Sequence, residues 1–438
     1  MDRDSLRFVL NDQLKAFEAE DPFVPREKLR KLKELLPLKM PLVIAGVRRC
    51  GKSFLMKQFK DSLGLGVKQF LYVDFNDERL SGFTVKDFQL ILDFLVENGY
   101  EDTCFLFLDE IQEVDGWEKW VDRIKSRFRI LITGSNSKLS SSDISSTLTG
   151  RALALSMFPF SFREYLEAKK IDYLKYDSDF EVKAMVAGAF SKYLLAGGFP
   201  MYVLSGKEIV LKDLYENILY KDIIKRFGKN EKQLRELSSF FLSNPSGKFS
   251  FRGISDLLGV KNRQSVKNFV SAFENSLTFF FLPKFDYSIK KQIQNPQKAY
   301  CIDNGFLSTL GFRFNDNEGK LLENLVAIEL KRRSKELFYF SDSKECDFIT
   351  RNGRKTTSAI QVTWKLTKEN QERELSGLAE AMDKFGLKKG LIITSDREET
   401  IEQNGKTMQV KPAWRWLLEN GLPKKSLTQK PGQIQPAS

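Results

Sequence analysis

Three stretches of this 438-residue chain hold side chains whose types and spacing could handle a phosphate anhydride. The first is Gly46-Val-Arg-Arg-Cys-Gly51-Lys52-Ser53, in which a second glycine runs directly into a lysine and a hydroxyl. Glycines let a loop wrap until its amides face phosphate, the lysine reaches the β and γ oxygens, and the serine can ligate Mg2+. The second, Cys104-Phe-Leu-Phe-Leu-Asp109-Glu110, is an apolar strand that ends in paired acids. One carboxylate suits Mg2+ and the other can orient or deprotonate a water. The third, "RILITGSNS", ends another apolar strand in Ser135 and Asn136, small polar groups placed where a γ-phosphate could be sensed. Arg151, in "TLTGRALAL", then precedes a further apolar run.

Composition narrows the chemistry. The chain contains no histidine. Histidine metal sites, Ser-His or Cys-His nucleophile pairs and nucleases with a histidine base are therefore excluded. Carboxylates, Lys, Arg, hydroxyls and bound metal remain. The four cysteines, Cys50, Cys104, Cys301 and Cys346, lie far apart without a C-x-x-C pair, which argues against a disulfide framework or structural zinc. The start, "MDRDSLRFVL", lacks a signal-peptide pattern, and no apolar run approaches the roughly eighteen residues of a membrane span. The expectation is a cytoplasmic protein without a membrane partner. A net charge of +12 suits nucleic acid, an acidic partner or a well-solvated basic surface.

The elements that would position these residues alternate in type. A β-branched run, "PLVIAG", precedes the glycine loop and "SFLMKQFK" follows it as a helix, while "QFLYVDFN" reads as a second strand and "GWEKWVDRIKSR" as an amphipathic helix. Strands alternating with helices predict an open parallel α/β sheet with ligand at its carboxyl edge.

With these motifs in place, the chain resembles an AAA+ ATPase of the archaeal-type group found in archaea and bacteria. The similarity is carried by GVRRCGKS, FLFLDE, LITGSNS and LTGR, with "PFSFREYL" and "YLLAGGFP" further on, and runs from about residue 25 to the end of the chain. The resemblance implies ATP and Mg2+ as ligands and a P-loop parallel sheet spanning residues 26–158. It assigns nucleotide contacts to Gly46, Arg49, Cys50, Gly51, Lys52, Ser53, Phe54, Asp109 and Ser135, with Ser53 and Asp109 on the metal. Glu110 would activate water, aided by Lys52 and Asn136, and Arg151 would act as an arginine finger donated within a homo-oligomer. Arg48 and Arg49 can lean on phosphate, on a neighbouring acid or on solvent.

Residues 1–25 show helical patterning without a motif. From 159 to 230 the pattern is helical, resembling the family's lid, with Arg226 as a second possible sensor. Residues 231–305 read as helix, turn, helix and a two-stranded wing, the order of a winged helix-turn-helix. From Gly247 to Lys298 there are nine basic residues against three acidic ones. Asn262, Arg263, Gln264 and Lys267 begin the second helix, and Lys290 and Lys291 lie in a basic loop, so duplex or branched DNA is the expected partner.

In residues 306–421 a helix carries Glu323, a strand carries Asp347, and the next strand reads Gln361-Val-Thr363-Trp-Lys365. This order resembles a restriction-endonuclease-like α/β domain, where carboxylates and a strand residue converge on Mg2+ and a lysine positions water. Thr363 stands where that lysine belongs. Lys365 shares the strand face of Gln361 and Thr363 and could replace it, while Glu345 shares the face of Asp347. The tail, 422–438, is rich in Pro, Gln, Ser and Lys and reads as disordered. The sequence thus points to a Mg2+-dependent ATPase that binds and remodels DNA. Its rivals are an ATP-dependent nuclease and a nucleotide-dependent switch that holds a protein partner.

Overall fold

The computed structural model describes residues 1–19, 23–139, 152–311, 318–333 and 335–419, without the side chains of Lys138, Arg226 and Lys229. Arg151, the tail and the Arg226 side chain, all singled out from sequence, lie outside what is described.

Five strands, β1 (Leu42–Gly46), β2 (Phe70–Asp74), β3 (Phe105–Asp109), β4 (Arg129–Gly134) and β5 (Leu153–Met157), form a parallel sheet in the order β2-β3-β4-β1-β5. Both faces of its central strands are covered, so those strands are mostly apolar and their alternation divides two cores. Leu42 and Ile44 face one apolar cluster with Phe59 and Phe107, whereas Val43 and Ala45 face another with Phe88 and Trp120. The helix Lys52–Ser62 lies on the first face, and Phe88–Glu97 and Trp117–Ile124 lie on the second. The N-terminal helix Arg3–Glu18 is part of this body: it buries Leu6, Val9, Leu10 and Phe17, and Gln13 hydrogen-bonds the backbone of Asp74.

Helices at Phe162–Ala168, Phe180–Ala196, Pro200–Ser205 and Ile209–Ile218 follow, the last continuing into a π-helical turn over Leu219–Ile224. The "FSFRE" segment starts the first of them because Ser161 and Glu164 form a reciprocal capping box. The glycines of "AGGFP" answer a packing constraint: a Cβ on Gly198 would stand 2.2 Å from the carbonyl oxygen of Phe160, and the Gly198 amide donates to Asp303.

Next come the helix Glu231–Ser243, β6 (Lys248–Phe249), the helices Phe251–Leu258 and Arg263–Asn275, β7 (Phe279–Pro283) and β8 (Gln297–Cys301), with β8 central in a three-stranded sheet. The stretch read as a basic loop contains a short helix, Ile289–Gln294, because Ser288 caps it and no Gly or Pro interrupts it before Pro296. The C-terminal region is a helix, Glu318–Arg332, then the antiparallel β9 (Glu336–Ser341), β10 (Glu345–Asn352) and β11 (Lys355–Val362). The helix Gln371–Phe385 leads to β12 (Lys389–Thr394), β13 (Glu399–Gln403) and β14 (Lys406–Pro412). β12 and β14 run parallel to β11, giving the order β13-β14-β12-β11-β10-β9.

One apolar cluster runs without a break from Leu42 through Phe199, Phe241 and Phe273 to Leu322 and Phe348. The four cysteines are buried and unpaired. Among the described residues no helix is long and apolar enough to cross a membrane.

Candidate functional site

The loop from Gly46 to Gly51 leaves β1 at the carboxyl edge of the sheet and opens the helix Lys52–Ser62. Gly51 has φ +99°, which an L side chain resists, and a Cβ on Gly46 would stand 2.5 Å from the Met157 carbonyl oxygen. Arg49 also takes a left-handed φ of 61°, with its side chain exposed, while Cys50 is buried. The helix N-terminus and the loop amides thus form a cradle in which only glycine fits at two points.

Behind the cradle stands Arg26, a residue that local sequence patterns do not single out. Its Nε donates to Glu164 Oε1 at 2.9 Å, Nη1 to the Cys50 carbonyl at 2.6 Å and Nη2 to the Phe158 carbonyl at 2.7 Å. Each guanidinium nitrogen has a partner, so a charge buried to 5% exposure is tolerated.

Within the site, Ser53 Oγ donates to Asp109 Oδ2, which also accepts from Tyr72 OH at 2.8 Å, and Thr133 Oγ1 donates to Asp109 Oδ1. A hydroxyl against a carboxylate at a helix N-terminus is a donor set that fits Mg2+. Lys52 Nζ lies 2.9 Å from Glu110 Oε1 and 3.1 Å from the Gly46 carbonyl. Glu110 takes a left-handed φ of 50°, and its other oxygen accepts from Ser135 N at 3.1 Å, Ser135 Oγ at 2.9 Å and Gln112 Nε2 at 2.5 Å. Burial alone would raise the Glu110 pKa, but the Lys52 charge and these donors hold it well below the usual carboxylate range. In this pairing Glu110 is a weak base.

Lys52, Ser53, Asp109, Glu110 and Ser135 therefore come together as the sequence predicts. Asn136 is buried beside them. Phe54 lies half-exposed and lines a cleft of about 330 Å3 with Ser53, Lys57, Tyr72, Asp74 and Asp77. Sequence reading missed Asp74, although β2 ends in an aspartate just as β3 does and Asp74 pairs with Asp109 in register. Burial and then the Asp109 charge raise its pKa to about 7. Arg48 turns away from the loop and binds Asp222 through two hydrogen bonds, so among its open alternatives the neighbouring acid is realised.

A second polar cluster forms where β8 meets the C-terminal region. Lys298 Nζ lies 3.0 Å from Glu323 Oε1, 2.9 Å from Glu345 Oε1 and 3.0 Å from Asp347 Oδ1. Tyr300, two residues on and so on the same strand face, donates to Glu323 at 2.7 Å. The register of β10 against β9 shifts between Cys346 and Ile349, beside Asp347. Gln361 Oε1 accepts from Asp347 N at 3.2 Å and its Nε2 donates to Glu374 at 2.7 Å, while Asp347 Oδ2 accepts from Val362 N.

The migrated-lysine expectation is corrected here. β11 ends at Val362, and past it the Lys365 carbonyl accepts from Thr363 Oγ1 and Asn370 Nδ2, so the 361, 363, 365 face does not continue. The Lys365 side chain is exposed and forms no ion pair among the described residues. The lysine inside the cluster is Lys298, from a different sheet. Among the described residues no three carboxylates converge as a metal site.

On the helix Arg263–Asn275, Asn262 caps the N-terminus through Gln264 N, and Arg263, Gln264 and Lys267 are exposed, as are Lys290 and Lys291 on their short helix. The two clusters of basic residues differ in use. Lys248 and Lys298 neutralise carboxylates of the C-terminal region, whereas Arg252, Lys261, Arg263, Lys290 and Lys291 form no ion pair among the described residues. At the other end of the same helix, Asn275 Oδ1 accepts from Ser137 Oγ at 2.6 Å, one residue past the buried Asn136.

Comparison with known proteins adds three domain matches in chain order. Residues 38–166 match an AAA domain, 187–318 a domain of unknown function (DUF8612) and 318–416 another (DUF4143). An uncharacterized protein of Methanocaldococcus jannaschii is 33% identical over 418 residues, covering 88% of this chain and 89% of the relative. One of Haemophilus influenzae is 30% identical over 391 residues, covering 86% and 94%. Among solved structures, a Walker-type ATPase of Pyrococcus abyssi aligns over 67% of this chain and 99% of its own, at 16% identity and TM-score 0.43. AMPPCP-bound DnaA from Aquifex aeolicus aligns over 57% and 89%, at 16% identity and TM-score 0.25. The first domain has the fold of an AAA-type P-loop ATPase.

Two outcomes follow from this geometry. Asp74 favours its protonated form on folding, so it adds stability below about pH 4 that is lost as the pH climbs through 7. Asp74→Asn should therefore stay close to the wild type in urea denaturation near pH 4 and exceed it by roughly 4 kcal/mol at pH 8. Lys298→Met should leave Glu323 and Asp347 without their cation, with Glu345 keeping only Lys248, and lower stability by about 3–5 kcal/mol at pH 7.5. That deficit should shrink at pH 5 as the carboxylates take up protons; a loss independent of pH would contradict the charge account.

Proposed function

The chain belongs to the same family as the uncharacterized proteins of Methanocaldococcus jannaschii and Haemophilus influenzae, and we propose that it is a Mg2+-dependent ATPase that uses ATP hydrolysis to bind and remodel DNA. The observation that carries this reading is the paired arrangement of Lys52 with Glu110 and Ser53 with Asp109 at the carboxyl edge of a parallel sheet. One ammonium-and-acid pair and one hydroxyl-and-acid pair sit where the loop amides converge.

Ser53 and Asp109 would hold Mg2+, whose charge offsets that of the phosphates. Lys52 binds the phosphate oxygens. A triphosphate in the loop competes with Glu110 for Lys52, and a Glu110 released from that ammonium regains its basicity. The Ser135 amide and hydroxyl and the Gln112 amide keep the freed carboxylate aimed, so it can orient water and accept its proton. On this account the base is silent until substrate draws its partner away.

DNA is the partner suggested by the exposed Arg263, Lys290 and Lys291, which form no ion pair among the described residues, together with Gln264 and Lys267, on a helix-turn-helix and sheet arrangement that reads as a winged helix. The Ser137 to Asn275 contact supports a link between the ATP site and that helix. The reading includes a homo-oligomer with Arg151 acting on a neighbouring site, as the sequence motif implies. The C-terminal region reads as an endonuclease-like scaffold. Lys298 among its carboxylates favours docking over cleavage.

ATPase rates with and without single-stranded, duplex and branched DNA test the whole reading. Lys52→Ala should abolish turnover, and hydrolysis at the wild-type rate in that variant would sink it. Neutralising Arg263 and Lys267 together should flatten the logarithmic salt dependence of DNA binding by about two. An unchanged slope would remove DNA from that helix.

A further inference from the structure

Arg48 belongs to the phosphate loop, two residues after Gly46 and four before Lys52, yet its side chain is held by a residue 174 positions away. Nε donates to Asp222 Oδ2 at 3.1 Å and Nη2 to Asp222 Oδ1 at 3.0 Å, a two-pronged pair whose side chains are 15% and 11% exposed. Asp222 lies in the π-helical turn Leu219–Ile224, where one extra residue is wound into the rod that continues from Ile209–Ile218. Such turns give up the better α-helical hydrogen-bond geometry and recur at functional positions. Its neighbours Leu219, Ile223 and Ile224 are buried in the apolar core, so Asp222 is the polar point at which the rod meets the loop.

Two further acids act on the same guanidinium. After Asp222, the charges of Glu110 and Glu113 act on Arg48 most. Glu110 is the carboxylate that Lys52 holds. Arg48 is thus bound to the helical rod while the charge of Glu110, an acid of the reaction centre, still acts on it. A planar guanidinium fork fits a carboxylate and a phosphate with the same two-pronged geometry, and a terminal phosphate carries more charge than a carboxylate.

We propose that the terminal phosphate of a bound nucleoside triphosphate competes with Asp222 for Arg48, which makes Asp222 a positioning residue that sets triphosphate against diphosphate preference and couples it to the π-helical turn. The proposal rests on the nucleotide-binding reading above. A diphosphate leaves the Arg48 to Asp222 pair closed. A triphosphate opens it, and the turn over Leu219–Ile224 loses its polar anchor.

The test uses the full-length chain, fluorescent ATP and ADP analogues, constant salt and Mg2+, and hydrogen–deuterium exchange over residues 209–227. Asp222→Asn removes the competing charge at constant shape. It should tighten the ATP analogue about five-fold or more while ADP stays within about two-fold, and Asp222→Glu should restore the wild-type ratio. In the wild type, exchange over 219–224 should rise with the ATP analogue and not with ADP. In Asp222→Asn it should be high throughout and unresponsive. Arg48→Lys keeps the charge without the fork and should weaken ATP alone, which serves if Asp222→Asn does not fold. An ATP-to-ADP ratio unmoved in a folded Asp222→Asn, or in Arg48→Lys, overturns the proposal while leaving nucleotide binding intact. A wild type that binds neither analogue overturns both.

Discussion

The buried Arg26 guanidinium is the constraint around which the nucleotide end of the molecule is arranged. An arginine cannot shed its proton, so burying it without partners would cost several kcal/mol. Its three nitrogens therefore fix three pieces of chain at once: the capped start of the helix at Glu164, the loop carbonyl of Cys50 and the end of β5 at Phe158. Glu164 is itself committed three times, to Arg26, to the Glu27 amide and to the Ser161 amide in the capping box. The phosphate loop consequently rests on a rigid backing rather than on its own glycines. The left-handed φ at Arg49 is tolerable because the structure behind it is over-determined.

The same rule recurs across the molecule with different degrees of permanence. Arg26 has only internal partners and is structural. Lys298 has three carboxylates around one ammonium, which leaves excess negative charge in a buried place; burial and the neighbouring charge of Asp347 raise the Glu323 pKa against the pull of Lys298. Lys52 and Arg48 differ because each lies in the loop where phosphate binds, and their carboxylate partners can be exchanged for phosphate oxygens. Electrostatics of one kind thus yields a support, an inter-sheet tie and two exchangeable contacts, and the distinction comes from what else can reach each cation.

What was legible in the sequence was what chain proximity encodes. Lys52 and Ser53 follow the second glycine, Asp109 and Glu110 end one strand, and Ser135 ends another, so the spacing and the apolar runs give both the sheet and its edge. Partners distant in sequence left no local trace: Arg26 with Glu164, Arg48 with Asp222, and Lys298 with Glu323 and Asp347. Lys365 failed for a definite reason, because period-two alternation says which face a residue takes only while the strand lasts, and β11 stops at Val362. The net charge of residues 247–298 was read correctly as a number but not as a surface. Lys298, buried, and Lys248, exposed, both pair with acids that the local count does not include.

The continuous apolar core limits what ATP hydrolysis could move. The cluster joins Leu42 of β1 to Phe241, Phe273, Leu322 and Phe348, so pulling the helical, three-stranded and C-terminal parts apart would expose many large side chains to water. Domains that move freely usually meet through smaller and more polar interfaces. Any change transmitted from the phosphate loop must therefore be a small shift at polar contacts set within that core. Arg48 to Asp222 on the helical rod and Ser137 to Asn275 at the end of the helix that begins with Arg263 are contacts of this kind that leave the nucleotide site. A packed core resists continuous deformation, so a change of partner at either contact would favour a switch between discrete arrangements over a graded opening.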